Sequence, residues 1–194
     1  MMQRILALAA LAALTFSAPA AAQAPKAAQP KAAQPKAPAA KPPGAKAAPA
    51  PTGPFNAQDP ASLTALLAAL DAKAETARRE TDAVLLKVTS PAGGFTAQFA
   101  GCNAQGRACR AIQFEATAER SSPTLAQING FNQSSLTCRI TQDRGGKPHV
   151  LYSTLLFPGD TRQDMLVQIQ AWQGCLGEFG AFLKDPPGYL AVAP

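Results

Sequence analysis

The sequence predicts an α+β domain: an antiparallel β-sheet with helices packed on one face. Three observations carry this. Gly93–Glu119 reads as one hairpin, with Phe95, Ala97 and Phe99 alternating against Thr96, Gln98 and Ala100, then Ile112, Phe114 and Ala116 against Ala111, Gln113 and Glu115. Period-two alternation buries one face of a strand and wets the other. A second pair of alternating runs comes later, Leu136–Ile140 and Val150–Phe157. Two stretches with leucines or large apolar residues at helical spacing, Pro60–Ala72 and the run from Thr161 to the Asp185-Pro186-Pro187 stop, flank the strands.

The chain opens on MMQRILALAALAALTFSAPAAAQA. Arg4 supplies a positive start and Ile5–Phe16 an apolar core too short for a bilayer, which needs ~20 residues. Ala20-Ala21-Ala22 is a small-residue cleavage signal. Residues 1–22 are therefore expected to be a signal peptide cut before Gln23, with Ala22-Gln23-Ala24 the second choice of site and an uncleaved anchor the alternative. The first cysteine is Cys102, so no lipid anchor is expected at the mature terminus, nor any transmembrane anchor once the leader is gone.

Residues 23–54 are a Pro/Ala/Lys-rich linker with lysine at every fifth position from Lys26 to Lys46 and nine prolines. They offer no apolar side chain larger than alanine or proline and cannot build a core. Fully extended, the segment spans ~100 Å, and as a flexible coil ~30 Å. It reads as an inert spacer or as a cationic stalk that contacts anionic envelope polymers. Roughly 140 residues remain for one folded domain with a real core.

Charge excludes one class of function. The net charge of +6 equals Arg4 plus the five linker lysines; from Phe55 onward twelve basic residues balance twelve acidic ones. A nucleic-acid-binding domain needs clustered cations on its folded surface, and here they are scattered among acids.

Within the domain, Asp59-Pro60 is a good helix start, and Leu63, Leu66, Leu67 and Leu70 mark the helix's apolar side. Ala74–Thr81 favours helix on propensity yet precedes an alternating strand, Val84, Leu86 and Val88 against Leu85, Lys87 and Thr89. Pro91 with Gly93-Gly94 turns the chain into the central hairpin, and a turn is expected at Asn103–Gly106. Ser122-Pro123 starts a short helix with Leu125, Ile128 and Phe131 on one side, limited by Gly130. Leu136, Cys138 and Ile140 form one side of the next strand, and Asp143–Lys147 turns it into its partner. Thr161 and Asp164 have capping-box spacing, and Met165, Ile169, Trp172, Cys175, Leu176, Phe179 and Leu183 form the last helix's apolar face. Residues 186–194 read as a tail.

Four cysteines allow three connectivities. Cys102 shares the parity of Thr96 and Gln98, and Cys109 that of Gln113 and Glu115, which favours a Cys102–Cys109 bridge on the wet face. Cys138 and Cys175 lie on apolar faces of a strand and a helix, so parity favours their pairing, with free buried thiols the alternative. Zinc is the remaining alternative, but Cys102 and Cys109 are too far apart for a CxxC knuckle and His149 is the only histidine. Export into an oxidising compartment, periplasmic or extracellular, suits disulfides.

Catalytic constellations are nearly absent. His149 follows Pro148 at a strand start and reads as a surface residue; no nucleophile elbow, zinc motif, phosphate loop or dinucleotide fingerprint occurs. Asp160 and Asp164 suit a helix N-terminus. The expectation is no enzyme and no cofactor. The polar face bearing Thr96, Gln98, Gln113 and Glu115, with no helix assigned to it, is the candidate interaction face, for an envelope protein or for self-association.

Phenylalanine strand Gly93–Gly101-Cys102, then Cys109 and Gln113-Phe114, Ile128-Asn129 with Phe131-Asn132, and Trp172 in AWQGCLGEFGAFL together resemble the YbjN family, described as a bacterial sensory-transduction regulator. The resemblance spans about Ala61–Leu183 and implies a fold like the type III secretion chaperones, with Ala74–Thr81 partly strand. It brings no catalytic residues. It implies structural roles for Asn129 and Asn132, their amides satisfying backbone groups where the short helix meets a strand. The turn Asp143-Arg144-Gly145-Gly146 departs from the family's usual acidic-glycine turn.

Overall fold

The computed structural model describes residues 54–119 and 122–193; the leader and the linker through residue 53 lie outside the described residues. The Asp59 side chain accepts from the Ala61 N–H at 2.9 Å and caps the first helix, α1 (Pro60–Ala68). Leu63, Leu66 and Leu67 are buried. The helix is shorter than the expected Pro60–Ala72. The Ala72 N–H reaches back to the Leu67 carbonyl and Asp71 takes a φ of 59°, a helix-ending geometry that leaves Leu70 exposed.

Lys73–Arg79 forms β1, a strand despite its helical composition, because pairing with β2 (Ala83–Ser90) overrides weak local propensity. Pro91 and Ala92 make a two-residue turn into β3 (Gly93–Ala100). Gly93 and Gly94, expected in that turn, already pair with Ser90 and Thr89. β4 (Ala111–Thr117) completes the central hairpin with Phe99 opposite Ile112 and Ala97 opposite Phe114. The α2 helix (Leu125–Ser134) starts later than expected, at a Thr124–Gln127 capping box, so Leu125 in its first turn is exposed while Ile128 and Phe131 are buried.

β5 (Arg139–Gln142) is shorter than expected: Leu136 lies outside it and is 93% exposed. β6 (Pro148–Leu155) ends before Phe157, because Asp160 accepts from the Phe157 N–H at 2.8 Å and folds residues 157–160 into a turn. The long α3 (Arg162–Lys184) begins at the expected Thr161–Asp164 capping box. Its buried face is Met165, Ile169, Trp172, Cys175, Phe179 and Phe182; Leu176 and Leu183 are half-buried. Residues expected as a tail form α4 (Pro186–Val192), capped by Asp185. Proline fits the first turn of a helix as well as it breaks an interior. Tyr189 of α4 stacks on Phe131 at 5.6 Å and meets Phe182 edge-on at 5.8 Å. Gly130 serves this packing: a Cβ there would stand 3.1 Å from the Leu190 side chain.

The six strands lie in the order β1-β2-β3-β4-β6-β5, antiparallel throughout. One parity of every central strand enters a single core together with α1, α2 and α3, so the helices share one face. Trp172 sits at its centre, stacked on Phe114 at 5.8 Å and edge-on to Phe95 at 5.6 Å. At the β5 edge, the Asn132 amide donates to the Ile140 carbonyl at 2.9 Å and accepts its N–H at 2.7 Å. It thus supplies the two bonds that a neighbouring strand would make, the structural role expected of it. Asn129 is exposed.

The structure joins Cys102 to Cys109 and Cys138 to Cys175. The first pair is not on the wet face. Cys109 is fully buried in the core and Cys102 packs half-buried against it. Strand parity does not carry through residues 101–110, because the strands stop at Ala100 and Ala111 and left-handed residues at Gly101 and Ala108 redirect the chain. In the chain-entropy picture the longer 138–175 loop is worth ~4 kcal/mol and the 102–109 loop ~2.5 kcal/mol. Cys175→Ala is accordingly expected to lower the urea-unfolding free energy by about 1–2 kcal/mol more than Cys102→Ala, measured side by side on oxidised protein.

Candidate open sheet face

The face opposite the helices is built by the other strand parity. Thr96 stands opposite Glu115, and Gln98 opposite Gln113. The four residues expected as an interaction face are therefore a contiguous quartet at mid-sheet, each half-exposed. The ladder extends it. One line runs Glu75, Lys87, Thr96, Glu115, Leu151, Arg139 and the next Arg78, Leu85, Gln98, Gln113, Ser153. The quartet, uncharged except at Glu115, is thus flanked by charges of both signs toward the sheet edges. Ser153 donates to the Gln113 amide oxygen at 3.2 Å.

A third line is apolar: Ala83, Ala100, Ala111 and Leu155, directly paired across β2, β3, β4 and β6. Leu155 is 63% exposed and Phe157, just beyond it, 58%. A shallow hollow lined by Arg78, Glu80, Ala83, Leu85 and Gln98 joins this line to the quartet.

His149, expected as an ordinary surface residue, sits at the other end of the face. Its Nδ1 lies 2.8 Å from Glu115 Oε1 and 3.0 Å from Thr117 Oγ1, and its Nε2 is 3.7 Å from Asp143 Oδ2. A carboxylate only accepts, so Nδ1 carries the proton and donates to Glu115. In that tautomer Nδ1 has no lone pair for the Thr117 proton. The cluster ties β4, β6 and the β5–β6 turn together. The ladder pairs Glu115 with Leu151 and Thr117 with His149; only that register, invisible in a single strand's pattern, brings His149 beside Glu115.

All four cysteine sulfurs are in disulfides. Among the described residues no group of three or more His, Cys, Asp or Glu is placed to hold a metal.

Three carboxyls are held below their ordinary range: Glu75 by its bond to Lys73, and Asp143 and Asp164. The Lys147 N–H donates to Asp143, with His149 adding a smaller effect; Asp164 accepts from the Thr161 hydroxyl and N–H. Burial pushes the Tyr152 phenol up, and its OH donates to Gln168.

Together these features define a one-sided antiparallel α+β sheet domain, helices on one side and an exposed, mixed polar and apolar face on the other. The family model for YbjN, described as "putative bacterial sensory transduction regulator", matches residues 59–183, and the chain belongs to that family. No curated protein and no solved structure matches it.

A depressed carboxyl contributes stability above its unfolded pKa and loses it as pH falls through the folded value. Urea midpoints followed from about pH 6 to about pH 3 should fall less steeply in Asp143→Asn and Asp164→Asn than in the wild type.

Proposed function

We propose that the chain is an exported, non-catalytic binding module of the cell envelope whose open sheet face takes a partner protein in a chaperone-like way. The observation that carries this is the pairing of an apolar line, Ala83, Ala100, Ala111 and Leu155, with the uncharged polar pair Gln98–Gln113 on one uncovered face. A protein contact surface combines apolar area with polar groups able to hydrogen-bond. Nucleic acid would demand clustered cations, and the domain from Phe55 onward is neutral. The cysteine bridges are compatible with an oxidising, exported location. The reading uses no cofactor, and the linker of residues 23–54 serves as a stalk that positions the face.

Two variants test this in partner recovery from envelope extract: deletion of residues 23–53, and Gln98→Arg with Gln113→Arg. Loss of the partner in the double-arginine protein, with recovery in the deletion, is the expected result. Loss only in the deletion makes the linker the binding element. Absence of any partner of the wild type leaves a structural envelope factor, and either outcome overturns the reading.

A further inference from the structure

The two edges of the sheet are treated differently. Asn132 seals the β5 edge with its paired bonds to Ile140, and the Gln142 and Arg139 side chains bond the Pro123, Gly146, Ser135 and Cys138 carbonyls nearby. Among the described residues no strand pairs with the outer side of β1. Such an edge invites another strand.

β1 carries a register shift between Thr76 and Arg78, leaving Ala77 without a partner in β2. The bulge inverts the parity of the residues after it. Lys73 and Glu75 face the open side, opposite Thr89 and Lys87; past the bulge Arg78 faces it too, opposite Leu85. Glu80, whose N–H bonds the Ala83 carbonyl, falls on the same side. One row therefore reads Lys73, Glu75, Arg78, Glu80: plus, minus, plus, minus. At present neighbours pair along the strand, Lys73 with Glu75 at 2.5 Å and Arg78 with Glu80 at 3.0 Å, all four side chains more than half exposed. Exposed pairs of this kind add little to the stability of the single chain.

The row is complementary to its own reverse. A second copy running antiparallel, with Glu75 opposite Arg78 of the other chain, necessarily sets Lys73 opposite Glu80. Two-fold symmetry repeats both pairs, and the small residues Thr76 and Ala77 flank the axis. Ala74 and Arg79 then meet on the core-side face, so faces agree at every charged position. Without the bulge this register would put opposing residues on different faces. Charges and a bulge on an edge strand repel unrelated strands; here their order exempts one, the strand itself.

We propose that β1 is a homodimerisation edge, pairing antiparallel with β1 of a second copy to join two six-stranded sheets into one of twelve. Because β5 is sealed, the contact is isologous and closes as a dimer instead of propagating. The Pro-rich linker is a poor rival for the edge, since proline lacks the N–H a ladder needs. The inference is independent of the partner-binding face, whose variants lie on β3 and β4.

Sedimentation of the full exported chain with both bridges formed tests it. About eight residues a side make a small interface, so the wild type should dimerise with a Kd on the order of micromolar. Glu75→Arg and Arg78→Glu each set like charges opposite one another twice and should weaken self-association at least about tenfold. Mixed one to one, the two variants restore both pairs, Arg against Glu and Arg78 against Glu75, and should form a heterodimer of near wild-type affinity. Misfolding would not yield that rescue. A wild type monomeric at about 200 μM, single variants that dimerise unchanged, or a mixture no stronger than its components would each overturn the proposal.

Discussion

Everything in this domain depends on how Trp172 is held. It is the largest fully buried side chain, gripped between Phe95 of β3 and Phe114 of β4. Aromatic rings bury more area than any other side chain and prefer stacked and edge-on arrangements like these. The contact fixes α3 against the middle of the sheet and selects which parity of β3 and β4 is inside. The Cys138–Cys175 bridge, one turn along α3, then locks the same helix to the start of β5. Phe131, Phe182 and Tyr189 form a second aromatic cluster that brings α2 and α4 onto the far end of α3.

A consequence is that the helices are all committed to one side. A one-turn shift of α3 would unseat Trp172, and a one-residue slip of β4 would turn Phe114 outward and Gln113 inward. The open face is therefore defined by the same packing that builds the core. Its polar quartet, apolar line and His149 cluster occupy fixed positions in the ladder, and its outer strand carries the alternating charge row.

Much of the fold was legible because its signals are local. Alternation in Phe95–Phe99 and Ile112–Ala116 named both faces of the hairpin, and the Asp59 and Thr161 caps marked helix starts. The open-face positions of Thr96, Gln98, Gln113 and Glu115 follow from the same alternation. The failures had non-local causes. Strand parity places Cys109 on the wet face only if it is carried through a loop that breaks it. The alternation runs through Leu136 and Phe157, beyond strands that a helix cap and an Asp160 turn cut short. α4 was hidden by Pro186-Pro187-Gly188, which reads as a terminator unless Tyr189 has Phe131 to stack on. His149 and the apolar line of alanines acquire meaning only through inter-strand register, which no single segment records.

The account rests on the described residues covering one side of the sheet only, and two adjacent residues of β4 test it. Gln113 and Phe114 point to opposite faces. Urea unfolding followed by Trp172 emission should show Gln113→Arg within about 0.5 kcal/mol of the wild type, as for an exposed position. Phe114→Ala should lose about 3–5 kcal/mol, as for a large buried aromatic. A loss of similar size for Gln113→Arg would mean that another part of the chain packs on the open face, and would contradict the account.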